Sequence, residues 1–275
     1  MTWHITGSVD DFLAGAGEFL RSRPVENTVL LTVSDTLRQR GPYAYGDEPP
    51  VFGWCDGGGA FLRTPPRAAV LSAMSPAAAA ELAGRLCGDP LPSVIAPDAV
   101  AEAFSLEWQR RTGTTPRVAR RQRLFRLAAL APPAPPAPGR ARVAGANDRG
   151  LLVDWTRAFL REVGESSLNA EELVDDRLSY GGLRLWEADG SPVSMAGVSR
   201  AEAGMVRVMS VYTPREHRTR GYAGAVTVAV SRAALDAGAG DVVLFTDIDN
   251  PTSNALYQRI GYTPIEDRSL VEFAS

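Results

Sequence analysis

The chain has 275 residues, enough for one large domain or two ordinary ones, with apolar residues at 45% and charged residues at 22%. That composition excludes intrinsic disorder, collagen-like repeats and coiled coils, and a net charge of −3 argues against nonspecific nucleic-acid binding. All 29 basic residues are arginine, which rules out chemistry that needs a lysine, from Schiff bases to the Walker A phosphate loop. Two histidines are too few for a histidine-rich metal site, and no metal is expected. No apolar run approaches the roughly 18 residues of a membrane span, and the opening Met1-Thr2-Trp3-His4 lacks a signal-peptide pattern. A cytoplasmic protein without membrane partners is expected. Cys55 and Cys87 fit buried small hydrophobes rather than a disulfide framework.

In the first half, Val9 to Arg23 has helical spacing, with Phe12, Ala16, Phe19 and Leu20 on one face. Asn27 to Leu37, rich in Val, Leu and Thr, reads as a strand. Val51 to Trp54 and Ala60 to Arg63 flank Asp56-Gly-Gly-Gly59 as a hairpin, and Ala68 to Met74 is a further strand. Ser75 caps a helix over 76–86, and a second helix is expected over 98–111. Seven arginines follow between Arg110 and Arg126, and with only Trp108 and Phe125 nearby they read as solvated surface rather than a nucleic-acid stripe. Docking of an acidic partner on this cluster is the other reading. The run Ala131 to Gly139 holds five of the 20 prolines and reads as a stiff linker. The expected organisation is therefore an α+β domain over 1–130, a linker over 131–139 and a second domain over 140–275.

The second half opens with a strand over 140–143, an amphipathic helix over 148–163, and a helix over 169–178 with the capping-box pair Asn169 and Glu172. Three strands over 183–187, 192–198 and 205–211 are joined by Asp189-Gly190 and Ala203-Gly204, which makes an antiparallel meander. The rhythm then changes to strand, helix, strand, helix, strand. The last strand of the meander runs into Arg218-Thr-Arg-Gly221-Tyr-Ala223-Gly224, which opens a helix. Small residues at a helix N-terminus let backbone N–H groups crowd toward a ligand, so this loop reads as an anion site. After a buried strand over 241–246, Asn250-Pro251 starts a helix on which Asn250, Asn254, Tyr257 and Gly261 share one face.

The two blocks Arg218-x-x-Gly221-x-Ala223 and Asn250-Pro-Thr-Ser-Asn254-Ala-Leu-Tyr257, separated by a helix and a strand, resemble the GNAT superfamily of acyl-coenzyme A N-acyltransferases over Arg140 to Ser275. The resemblance implies a GNAT fold, α/β with a mixed central sheet, for the second domain. The first domain, α+β and of similar rhythm, is then a degenerate GNAT-like copy. It further implies acetyl-coenzyme A as cofactor, with its diphosphate on Arg218, Thr219, Arg220, Gly221, Tyr222, Ala223 and Gly224. The pantetheine arm would lie along Met209, Val211, Tyr212 and Thr213, with hydrogen bonds from Asn250 and Asn254. Tyr257 would be the general acid toward the departing thiolate, and a backbone N–H near Val211 would hold the oxyanion. Each residue also has a plainer reading: Tyr257 as a core residue with a wet hydroxyl, Asn250 as a helix cap, and His217 as a surface residue rather than a base.

The strand Met205 to Val211 has no carboxylate, where many members of that family carry a catalytic glutamate, so the base is unassigned. Between Asn147 and Asp189 ten acidic residues face five arginines, an excess that favours a cationic amine, with Phe159, Glu162 and Glu165 as candidate acceptor contacts. The function expected is transfer of an acetyl group to a primary amine of a small molecule, by direct attack in a ternary complex. The alternative is a module that binds or senses coenzyme A or its acyl esters without turnover.

Overall fold

A computed structural model describes residues 2–165 and 168–273. The chain makes the same series of elements twice. The first series is β1 (Trp3–Thr6), α1 (Val9–Ser22), α2 (Thr28–Arg40), β2 (Val51–Cys55), β3 (Ala60–Arg63), β4 (Ala69–Leu71), α3 (Pro76–Leu86), β5 (Ser93–Pro97), α4 (Asp98–Thr112) and β6 (Pro116–Leu127). The second is β7 (Arg140–Val143), α5 (Arg149–Glu162), α6 (Ala170–Ser179), β8 (Leu183–Ala188), β9 (Ser191–Val198), β10 (Met205–Tyr212), α7 (Tyr222–Asp236), β11 (Asp241–Asp247), α8 (Pro251–Arg259) and β12 (Tyr262–Phe273). In each series the first four strands pair antiparallel in order, and the fourth and fifth pair parallel. The second half is thus the α/β fold with a mixed sheet that the sequence implied, and the first half repeats it.

Most elements fall where periodicity and caps put them. Ser8, Ser75 and Asn169 accept hydrogen bonds from the N–H groups of Asp11, Ala78 and Glu172, fixing the starts of α1, α3 and α6. Residues 27–37 are a correction: the expected strand is the helix α2. Its β-branched residues are accommodated because Thr32 and Thr36 donate their hydroxyls to the carbonyls of Thr28 and Thr32, one turn back. The buried positions Thr28, Leu31, Ser34 and Leu37 recur at helical spacing.

Two compact units form, and they do not follow the halves of the chain. The first takes residues 1–124, 246–250 and 265–275; the second takes 125–245 and 251–264. The proline-rich run 131–139 lies wholly in the second unit, where the Pro138 carbonyl accepts the Trp186 indole N–H at 2.8 Å. The reason for the interleaving is the final strand. Residues Arg268–Glu272 of β12 pair antiparallel with Ser93–Pro97 of β5, completing the first unit's sheet. Val271 and Phe273 join its core, and the Phe273 ring stacks on Trp108 at 4.9 Å and lies 6.0 Å from Phe104. Arg268, 1% exposed, is neutralised inside this unit by Glu266 at 2.7 Å and also donates to the Glu26 carbonyl.

Six of the seven clustered arginines are spent on ion pairs. Arg110 and Arg111 both grip Glu107, which holds the Glu107 carboxyl down to about 2 through those hydrogen bonds. Arg117 pairs with Glu272, Arg121 with Asp98, Arg123 with Asp267 and Arg126 with Asp241. This agrees with the surface reading of the cluster.

Truncating Phe273 to Ala should cost about 3–5 kcal/mol, the usual loss for a buried phenylalanine. Calorimetry of the whole chain should show the first unit's transition moved down by several degrees, and an unchanged melt would remove β12 from that core.

Candidate functional site

The second unit contains the sequence-implied residues except Asn250, which lies in the 246–250 segment of the first. There Asn250 is exposed and its N–H bonds the Asp247 carbonyl at 3.2 Å.

The site begins where two parallel strands stop pairing. β10 and β11 are in register from Met205 with Asp241 to Val208 with Leu244, and no pairing continues among the described residues, although β10 runs on to Tyr212. At that point β10 carries a bulge. Its register against β9 shifts between Met209 and Tyr212, and Ser210 sits at φ 51° in the left-handed region. The Ser210 hydroxyl accepts from the buried guanidinium of Arg177 at 3.1 Å. Tyr212 and Thr213 are buried beyond the bulge, with Thr213 Oγ1 and Ser194 Oγ 2.8 Å apart. Met209 and Val211 are half-buried.

The anion loop follows directly. Thr219 (φ 65°) and Gly221 (φ 82°) both adopt left-handed backbone, turning the chain into α7. Unlike α1, α3 and α6, this 15-residue helix has no side-chain cap, and unlike α1 and α6 it has no acid in its first turn. Among the described residues no side chain caps its first N–H groups, which form the positive pole of the helix. Tyr222 is buried beside Ala188 and Val193, and a side chain at Gly224 would come within 3.0 Å of Leu256. Arg220 is exposed. Arg218 is drawn back instead: its Nε donates to the Thr213 carbonyl at 2.9 Å, its plane lies 5.9 Å from the Tyr212 ring, and its Nη2 bonds both oxygens of Glu162 at 2.7 and 2.9 Å.

Glu162 thus stands against the loop arginine rather than open to an amine. Phe159 is half-buried on the same helix α5, in the cluster that contains Tyr212. Glu165 closes the helix end through its backbone N–H to the Leu160 carbonyl at 2.8 Å, while residues 166–167 of the expected acceptor region lie outside the described residues. His217 ends a short turn, half-buried, with its Nδ1 lacking a partner among the described residues.

Helix α8 supplies Asn254, half-buried, and Tyr257, 8% exposed. Tyr257 shares a core cluster with Val208 and Leu244, the last paired residues before the strands part. Burial with no compensating bond pushes its phenol up to about 12. Sequence reasoning missed Ser210 and Arg177; the only signs were a serine in an apolar strand and an arginine three residues after Val174 on the inner face of α6.

The corresponding place in the first unit is closed. Ser75 already takes the Ala78 N–H of α3, Pro76 removes another donor, and the Trp3 indole donates to the Ala78 carbonyl at 3.2 Å. No glycine–arginine loop separates β4 from α3.

A family model described as FR47-like protein matches residues 190–271, which spans the bulge, the loop and α8. Solved structures similar to the chain include a Drosophila protein (TM-score 0.71, 14% identity, covering 99% of this chain and 98% of that one). A GNAT-family acetyltransferase from Colwellia psychrerythraea matches over 100% of both chains at TM-score 0.62 and 12% identity. The chain has the GNAT fold. A tandem GNAT protein from the clavulanic acid biosynthesis pathway matches over 99% of this chain and 98% of its own length, at TM-score 0.57 and 14% identity, which agrees with two GNAT-like halves. None of the curated proteins matches the chain.

Replacing Glu162 by Gln should free Arg218 and tighten binding of coenzyme A by about two- to fivefold at low salt, the equivalent of an exposed ion pair. Titration calorimetry should show the gain shrinking at high salt; equal affinities at low salt would mean Arg218 is not held back by the pair.

Proposed function

We propose that the second unit is an acyltransferase that moves the acetyl group of acetyl-coenzyme A to a primary amine of a small molecule, while the first unit is a copy without chemistry. The observation that carries this is the uncapped start of α7 lying at the end of the strand that parts from β11. A diphosphate fits the first, and an extended arm that pairs with backbone fits the second. When bound, the thioester supplies an acyl group activated toward amines. The chain's own residues do the rest. The amides of Gly221 to Gly224, with Arg218 and Arg220, neutralise the diphosphate, and the Met209–Thr213 edge aligns the arm. A backbone N–H at Val211 donates to the carbonyl oxygen as it gains charge, and Asn254 steadies the arm from α8. Attack by the neutral amine is direct, with no covalent enzyme intermediate: as the C–N bond forms and the C–S bond breaks, Tyr257 protonates the sulfur, and the proton the amine sheds passes to water and restores the phenol.

Tyr257 holds the proton destined for the leaving sulfur. A phenol raised to about 12 keeps that proton across the physiological range. Its protonated form is the active one and is lost only as pH climbs toward the raised value. On its account, turnover should not fall below about pH 10. Replacing Tyr257 by Phe should lower turnover at least about tenfold while leaving the affinity for coenzyme A within about twofold; pH–rate profiles of both forms check this, and equal turnover would remove Tyr257 from the mechanism.

The acceptor expected from the acidic excess of 147–189 is cationic. Two facts favour a second reading, a unit that binds acyl esters without turnover: β10 carries no carboxylate, and a phenol near 12 is a poor donor to a thiolate whose own value is near 8.5. The experiment that decides is the melting temperature with and without acetyl-coenzyme A, followed by free-thiol release across a panel of amines. A ligand at about 100 times its Kd adds roughly 2.7 kcal/mol, a shift of several degrees. A shift with amine-dependent thiol release supports transfer. A shift alone supports the binding unit, and no shift overturns both.

A further inference from the structure

Of the groups that touch the bulge of β10, Arg177 is the one whose position the mechanism above does not explain. It lies on α6, 8% exposed, in a face otherwise built of Ala170 and Val174. Burying a guanidinium is costly unless its fork is occupied, and here the fork spans the bulge. Nη1 donates to Ser210 Oγ at 3.1 Å and Nη2 reaches Met209 Sδ at 2.9 Å. The opposing residue on β9 is Gly197, paired with Met209. A side chain at Gly197 would meet the Met209 carbonyl at 3.3 Å and the Arg177 Cδ at 3.5 Å. The arginine stem therefore runs past this glycine at ordinary contact distance on its way to β10.

Ser210 sits at φ 51°, a conformation that an L-residue holds only when its surroundings over-determine it. The bulge could have been made with glycine at no steric cost. Serine instead offers an acceptor, and its partner is the arginine. We infer that Arg177 is a positioning residue of the acyl-transfer site: it clamps Met209 and Ser210 from below, and so fixes the backbone amides of the bulge toward the thioester. The inference rests on the acyltransferase reading. It makes Arg177 act through β10, without touching substrate. A lysine in its place would present its donors from a single nitrogen and would lack the planar fork that spans both partners.

The test uses the full chain and the variants Arg177→Leu, Ser210→Ala and the double variant Arg177→Leu with Ser210→Gly. Amide hydrogen exchange is read over residues 205–213, alongside kcat, and Kd for coenzyme A and acetyl-coenzyme A. Removing the clamp should raise exchange at the bulge by about tenfold or more and lower kcat by a similar or larger factor, since small misplacements at a reacting centre are costly. The Kd for coenzyme A, which has no thioester carbonyl, should stay within about twofold, whereas preference for acetyl-coenzyme A over coenzyme A should shrink. Adding Ser210→Gly should recover part of the protection and of kcat, because glycine adopts φ 51° without steric cost. A purely structural arginine would weaken both ligands together, and glycine would not rescue it. Should Arg177→Leu fail to fold, Ser210→Ala, which removes only the acceptor, gives the same local reading. Unchanged exchange and kcat in a folded Arg177→Leu, or a double variant no better than the single, overturns the inference. Failure of the wild-type chain to bind acetyl-coenzyme A overturns the acyltransferase reading first, and the exchange data then show separately whether Arg177 holds the bulge.

Discussion

Backbone groups at the end of a sheet must be paired, wetted or offered to a ligand. In the second unit, β10 and β11 pair over four positions and then separate, and every feature of the site follows from that separation. The bulge at Ser210 steers β10 away, the buried Tyr212 and Thr213 anchor its end, and α7 begins with its first N–H groups uncapped. Helix α8 returns across the same core with Tyr257 in the cluster that holds Val208 and Leu244. The parting supplies the opening; the bulge and the loop determine what chemistry it suits.

Duplication makes the comparison internal. Two halves with the same order of elements have taken opposite courses at one place. Where the second presents α7 without a cap, the first presents α3 with Ser75 and Pro76 at its start. Two residues at a helix start thus divide a ligand-ready terminus from a satisfied one.

Much of this was legible beforehand, for physical reasons. Caps at Ser75 and Asn169 and the turn at Asp189-Gly190 are local signals, and the elements they bound were found at the expected places. The loop Arg218 to Gly224 was legible from its glycines, of which Gly221 sits at φ 82°, a backbone that glycine takes without steric cost. Residues 27–37 were misread because the β-branched Val and Thr are enriched in strands, while the hydroxyl bonds that let Thr32 and Thr36 sit in a helix are invisible to composition. Ser210, Arg177 and the exchange of β12 into the first unit depend on partners dozens to hundreds of residues apart, so no local pattern announces them. The drawing back of Arg218 onto Glu162, 56 residues away, is of the same kind.

The placement of β12 also bears on how the polypeptide is made. Strand β5 is translated early, yet its partner, Arg268–Glu272, comes more than 170 residues later. A ribosome has therefore delivered the whole second repeat before the first can finish its sheet. During that interval the edge of β5 and the ring of Trp108 wait uncovered, a long-range closure that slows folding and exposes a sticky margin.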